Sequence, residues 1–171
     1  MQSPGPVAPG NSEWTVATID IGGHPFRMKQ ISLGEALAAD VEGVVEPFWA
    51  HVWPIGRVLA EHVLAGPPLD DLACLDLGTG SGIVGIALGL KGARVTFADR
   101  SAESLVLASE NARRSGVPVF ELLQLDWTAP PPRRFDRVYA ADVAYDHERV
   151  DALASALRSL LSPDGVAYLA D

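Results

Sequence analysis

The densest run of chemically useful residues is Asp76-Leu77-Gly78-Thr79-Gly80-Ser81-Gly82-Ile83-Val84-Gly85, in which four glycines lie between two apolar stretches. Glycines at this spacing let the backbone turn sharply and let a ligand approach without a Cβ in the way. A helix opening behind such a loop offers unsatisfied N–H groups to that ligand. Gly80-x-Gly82-x-x-Gly85 also fits the dinucleotide fingerprint, with Asp99 about 20 residues on as its ribose-binding acid. The plain alternative is a glycine-rich turn that holds nothing.

Asp76 separates the ligands. A carboxylate just before the loop repels a pyrophosphate that lacks a metal, but it suits S-adenosylmethionine, which carries a sulfonium and an ammonium group. Asp99 can accept both hydroxyls of a ribose in either case, or else help Ser101 cap the next helix. Asp126-Trp127 can take an adenine, the acid accepting from the amino group and the indole packing near the ring, or can be a turn with a buried Trp. Asp142-Val143-Ala144-Tyr145-Asp146 places a carboxylate and a phenol where they could hold an amine nucleophile and exclude water, or could simply form a polar turn before a helix. Asp136 reads as a turn or solubility residue ahead of a strand.

These residues must be carried by elements that bring them together. Trp14 to Ile21 and Pro25 to Ile31 flank Gly22-Gly23 and read as a β-hairpin. Trp53 to Leu64 reads as a helix with Pro54 in its first turn and Ile55, Val58, Leu59, His62 and Val63 on one face. From there strands and helices alternate: strand Leu72 to Leu77, helix Ile83 to Leu90, strand Arg94 to Ala98, and helix Ala102 to Arg114, capped by Ser101 and stopped near Gly116. Strands Val119 to Leu125 and Phe135 to Ala141 follow, then helix His147 to Leu161, ended by Ser162-Pro163, and strand Val166 to Ala170. Such alternation predicts an α/β fold, a doubly wound, mostly parallel sheet covered on both faces, with a crevice at the carboxyl ends of its strands. The glycine loop, Asp99, Asp126, Asp142 and Tyr145 all fall at those ends.

Composition narrows the function. The 171 residues, 48% of them hydrophobic, suffice for one domain with a sizeable core. Residues 1–12 read as a flexible tail, 13–68 as the hairpin and helical lead-in, and 69–171 as the cofactor-binding core. A formal net charge of -9, with no basic stripe, speaks against nucleic acid and for a small-molecule or protein acceptor. No apolar run reaches the about 18 residues a membrane span needs, and no signal peptide is legible, so the expected setting is the cytoplasm. The single cysteine, Cys74, lies in an apolar run and reads as a core residue, which leaves no internal disulfide and no cysteine metal site.

Three stretches carry a family resemblance. Pro47-Phe48-Trp49-Ala50-His51-Val52-Trp53-Pro54-Ile55-Gly56, Leu75 to Ala87, and Asp136 to Asp146 with its Asp-x-x-Tyr ending resemble the class I, seven-β-strand, S-adenosylmethionine-dependent methyltransferases. Within that group they are most similar to the lysine methyltransferases related to the electron-transfer-flavoprotein β-subunit enzyme. The resemblance implies a Rossmann-like core, S-adenosylmethionine as cofactor and S-adenosylhomocysteine as product. It implies that Trp53 lies beside the methionine part of the cofactor and that Asp142 and Tyr145 border a lysine channel. The expected cofactor set is then Trp53, Asp76, Gly78, Thr79, Gly80, Gly82, Asp99, Arg100, Asp126, Trp127 and Asp142, the expected catalytic pair Asp142 and Tyr145, and no metal.

The family sheet has seven strands, whereas this sequence ends after its fifth core strand, so the last two family strands are expected to be lacking. The open edge that results is a place for another chain, a second copy or the N-terminal hairpin to cover. The function expected is methyl transfer to a protein lysine ε-amine. The alternatives are a small amine acceptor such as nicotinamide, a non-catalytic cofactor-binding module, and a dinucleotide-dependent oxidoreductase.

Overall fold

The structure, a computed structural model, describes residues 14–34, 36, 48–144 and 150–171. The tail at 1–12, Pro47 of the Trp-Pro segment and Tyr145, Asp146 and His147 lie outside the described residues. Two antiparallel strands, β1 (Thr15–Ile21) and β2 (His24–Gln30), form the hairpin. Gly22 and Gly23 both turn at positive φ, as the dipeptide predicts.

Beyond a short 3₁₀ turn at Phe48–Ala50, helix α1 (Pro54–Ala65) starts with its proline in the first turn. The core then runs β3 (Ala73–Leu77), α2 (Ile83–Leu90), β4 (Arg94–Asp99), α3 (Ala102–Arg114), β5 (Glu121–Gln124), β6 (Phe135–Ala141), α4 (Val150–Leu160) and β7 (Leu161–Ala170). The sheet order is β5-β4-β3-β6-β7, and every pairing is parallel. After β3 the chain builds outward through β4 and β5, then returns to the other side of β3 to lay down β6 and β7. The order therefore reverses between β3 and β6, the position at which doubly wound sheets open a crevice.

Alternate residues of each strand feed two cores. Cys74, Val95, Phe97 and Tyr139 face α1, α2, α3 and the hairpin, while Leu75, Leu77, Ala98, Val138 and Ala140 face α4. The hairpin shares the first of these cores through Ile21, Phe26 and Met28, all fully buried.

Several expectations are corrected. The buried face of α1 is Gly56, Leu59, Ala60 and Val63; Val58 is 58% exposed and His62 is exposed too. The helix lies close on α2 through small residues, with Gly56 leaving only 3.1 Å between a hypothetical Cβ and Ile83. Strand β5 is shorter than its apolar run, and Val119 stands 83% exposed before it. Asp136 sits inside β6 and accepts a hydrogen bond from the Ala73 N–H at 2.8 Å, so it ties two strands together.

Strand β7 begins at Leu161 instead of Val166. Phe135 pairs with Leu161 and Arg137 with Val166, so an irregularity in register absorbs the Ser162–Gly165 stretch that reads as a turn. The hairpin does not cover β7. It lies on α3, where the backbone N–H groups of Arg27 and Lys29 donate to Ser115 Oγ (3.0 Å) and Asn111 Oδ1 (2.7 Å).

Candidate functional site

The loop after β3 is held from several sides. Gly78, Gly80 and Gly82 take positive φ of 72°, 51° and 88°, a region in which a side chain is strained. Space for a side chain is short as well: a Cβ on Gly78 would sit 2.7 Å from Val143 Cγ1, and one on Gly80 would sit 3.3 Å from the Trp49 carbonyl oxygen. Gly85, one turn into α2, has no room because its face lies on the Phe97 ring.

The loop's own N–H groups are largely taken. Gly78 and Thr79 both donate to Ala98 O at 2.9 Å, Gly82 to Thr79 O at 2.8 Å, and Gly80 to Asp99 Oδ2 at 3.0 Å.

Asp76 anchors this loop from beneath. It is 2% exposed and points to the α2 side of β3, where Oδ2 accepts from the Thr79 hydroxyl and from the Gly85 N–H at 2.9 Å. Burial raises its pKa from the ordinary carboxylate value to about 6, with a further push from the nearby Asp99 charge; the two donated hydrogen bonds oppose this and lose.

Asp99, at the end of β4, serves the roles of cap and brace at once. Oδ1 accepts from the Ser101 N–H at 3.0 Å, and Oδ2 accepts from Gly80 N–H and from the Ser104 hydroxyl at 2.8 Å. Ser101 itself caps α3 through Ser104 N–H at 3.1 Å, as predicted.

Around the loop lies a cavity of about 420 Å³. Every member of the expected cofactor set except Gly82 borders it: Trp53, Asp76, Gly78, Thr79, Gly80, Asp99, Arg100, Asp126, Trp127 and Asp142. Gly82 instead caps α2 and backs onto Ala108 of α3, 3.0 Å from where a Cβ would stand.

Asp126 is exposed and closes an Asx turn, its Oδ1 accepting from both the N–H and the hydroxyl of Thr128 at 2.9 Å. Trp127 packs on the α4-side core. Asp142 is held at φ 51° just past β6, its N–H donating to Ala170 O at 2.9 Å. Partial burial, together with the neighbouring Asp171 charge, raises the Asp142 pKa above the ordinary carboxylate value. Tyr145, the other half of the expected catalytic pair, lies outside the described residues.

The Trp-Pro segment forms one wall. The Trp53 indole N–H donates to Phe48 O at 2.9 Å, and its ring meets His51 edge to face at 5.1 Å. Phe48, Trp49 and His51 also border the cavity, although the sequence reading singled out only Trp53 from this segment. Their nearness to Trp53 in a turn before a Pro-started helix was the available signal. His51 Nδ1 lies 3.1 Å from Ile31 O. Because a carbonyl only accepts, Nδ1 carries the proton and a neutral ring leaves Nε2 as an acceptor.

Residues 40–171 match the profile of a family described as lysine methyltransferase. The chain belongs to that family. This bears out the resemblance to class I S-adenosylmethionine-dependent methyltransferases read from the Trp-Pro, glycine-loop and Asp-x-x-Tyr segments. The chain is 29% identical over 117 residues to the electron transfer flavoprotein beta subunit lysine methyltransferase of Mus musculus, covering 67% of this chain and 46% of that protein. It is 31% identical over 128 residues to the protein N-lysine methyltransferase METTL21A of Danio rerio, covering 70% and 59%. Among solved structures it is similar to magnesium protoporphyrin IX methyltransferase of Synechocystis PCC 6803 with bound S-adenosylmethionine, at 25% identity and a TM-score of 0.54, covering 63% of this chain and 53% of that one. The chain thus spans about half the length of the curated relatives it matches. Among the described residues no helix is long and apolar enough to cross a membrane.

Proposed function

We propose that this chain binds S-adenosylmethionine in the cavity above the glycine loop and transfers its methyl group to a lysine ε-amine of a protein. The observation that carries the reading is the charge of the cavity wall: Asp76, Asp99, Asp126 and Asp142 stand around it against Arg100. Such a wall suits a ligand bearing a sulfonium and an ammonium group and opposes a pyrophosphate. Of the N–H groups that a pyrophosphate would need, those of Gly78, Thr79, Gly80, Gly82 and Gly85 are already bonded within the chain. Both features weigh against the dinucleotide alternative.

When bound, the cofactor supplies an electrophilic methyl on a positively charged sulfur. The residues of the chain do the positioning. Gly78 and Gly80 supply the left-handed turns of the loop, Asp99 would accept a ribose hydroxyl on the one Oδ1 lone pair that Gly80, Ser101 and Ser104 leave free, and Asp126 with Trp127 would border the adenine. Trp53, Thr79 and Arg100, which border the same cavity, would line the methionine and ribose parts. Asp142 would border the acceptor channel, where the family resemblance also expects Tyr145, and its carboxylate would keep the amine oriented and stabilise the positive charge that builds on its nitrogen. A free lysine has a pKa near 10.4, so a channel that strips water from the ammonium group raises the reactive neutral fraction.

The names of two similar proteins support the lysine assignment, since both are lysine methyltransferases by name. The test is incubation with methyl-labelled S-adenosylmethionine and cell extract, resolved by size and then by residue. Label on a protein lysine is the expected result. Label confined to small molecules would overturn the acceptor assignment while leaving cofactor use in place.

A further inference from the structure

Asn111 lies in the last turn of α3, a helix whose pattern reads as an ordinary amphipathic one, yet its side chain is fully buried and makes three hydrogen bonds to two distant segments. Oδ1 accepts from the Lys29 N–H at 2.7 Å, while Nδ2 donates to Lys29 O at 3.1 Å and to Ser81 O at 2.9 Å. One donor and two carbonyls fix which amide atom is oxygen and which is nitrogen, and they use both amide hydrogens. Lys29 belongs to β2 of the hairpin; Ser81 lies in the glycine loop between Gly80 and Gly82 and borders the cavity. One amide therefore clasps the hairpin's outer edge as a neighbouring strand would, and holds the cofactor loop with its remaining hydrogen.

The same hairpin also reaches the wall of the cavity formed by the Trp-Pro segment. Ile31, just past β2, donates from its N–H to Ala50 O at 3.1 Å and accepts from His51 Nδ1, so it holds the segment that carries Trp49 and Trp53. Trp14, just before β1, packs on Trp49 with ring centroids 6.3 Å apart, and the Trp49 carbonyl in turn lies over Gly80. Both walls thus depend on where the hairpin sits.

We propose that Asn111 is a positioning residue that couples docking of the N-terminal hairpin to the cofactor-binding shape of the glycine loop. Each event then favours the other by the same factor, as linkage requires. The inference rests on the cofactor reading given above.

The test uses the whole chain and S-adenosylhomocysteine as probe, with amide hydrogen exchange across residues 15–31 and calorimetric affinity. In the wild type, binding is expected to slow exchange at Lys29 and its hairpin neighbours about fivefold or more, although none of them borders the cavity. Asn111→Ala, once shown to be folded, is expected to bind about tenfold more weakly and to lose the hairpin response. Asn111→Asp keeps the shape but sets a second oxygen against two carbonyls, so it is expected to behave the same way.

Binding in the wild type that leaves hairpin exchange unchanged would overturn the coupling, and this measurement needs no variant to fold. A folded Asn111→Ala with unchanged affinity would overturn it as well and leave Asn111 a purely structural residue. Failure of the wild type to bind the probe would instead overturn the cofactor reading, and the coupling with it.

Discussion

Asp76 offers the most quantitative check on how this loop is built. Its carboxyl is buried between β3 and α2 and has its pKa raised from the ordinary 3.8 to about 6. About two units correspond to about 3 kcal/mol between the two protonation states in the folded protein. Because the folded pKa lies above the unfolded one, the stability this group contributes is fully present below about pH 4 and is lost as pH rises through 6. At neutral pH the carboxylate is ionised, and the fold bears the cost of keeping it buried.

The perturbation is Asp76→Asn, which retains an oxygen to accept from Thr79 and Gly85 and cannot ionise. Urea denaturation of both proteins from pH 4 to pH 7.5 isolates this group together with its coupling to Asp99, because the carboxyls that do not interact with Asp76 titrate alike in the two. The stability difference is expected to move by about 2 kcal/mol or somewhat more across that range, the wild type losing ground relative to the variant as pH rises. A difference that stays flat, or that moves the opposite way, would refute the claim that burial outweighs the two hydrogen bonds at Asp76.

Three further outcomes are expected. Asp99→Ala removes the acceptor shared by Gly80, Ser101 and Ser104, and should weaken S-adenosylhomocysteine binding at least about tenfold in a calorimetric titration while the domain stays folded; unchanged affinity would leave Asp99 as a cap alone. Gly85→Ala would bring a Cβ within 2.2 Å of the fully buried Phe97 ring and should destabilise the fold by about 2 kcal/mol or more in urea; a loss below about 0.5 would mean the helix can lift from β4 without cost. Asp142→Asn should slow methyl transfer far more than it weakens cofactor binding, read as kcat against Kd; equal losses, or near-normal turnover, would move the acceptor site elsewhere in the cleft.

Much of this arrangement is legible in the sequence, for reasons that can be named. The bounds of α2 and α3 follow from punctuation: Gly82 at positive φ opens one, while Ser101 and Gly116 frame the other. The hairpin turn follows from Gly22-Gly23, and β6 from an apolar run between a charged stretch and Asp142. The face of α1 is not legible, because apolar period marks Val58 and overlooks Gly56 and Ala60, whose smallness lets α1 approach α2. The start of β7 is hidden by Ser162–Gly165, whose composition reads as a turn while the sheet accommodates it as an irregularity.

The largest gap concerns long-range polar contacts. Asn111 and Ser104 look like surface positions of a helix, and only folding brings them to Lys29, Ser81 and Gly80. Of the expected site, Trp53, Asp76, Asp99, Asp126, Trp127 and Asp142 do surround one cavity, because strand alternation sends strand ends and loops to the same side of the sheet. What the sequence could not convey is that Asp76 and Asp99 are engaged within the loop itself.

On the proposed function, the cavity above the glycine loop takes a cationic adenosyl ligand and not a dinucleotide. Calorimetric titration of the folded chain with S-adenosylmethionine, S-adenosylhomocysteine and a nicotinamide dinucleotide, repeated on a Gly80→Val variant, tests it most directly. Both adenosyl ligands are expected to bind saturably and to lose that binding when the valine side chain meets the Trp49 backbone, and the dinucleotide is expected not to bind. Saturable binding of the dinucleotide with neither adenosyl ligand bound would contradict it.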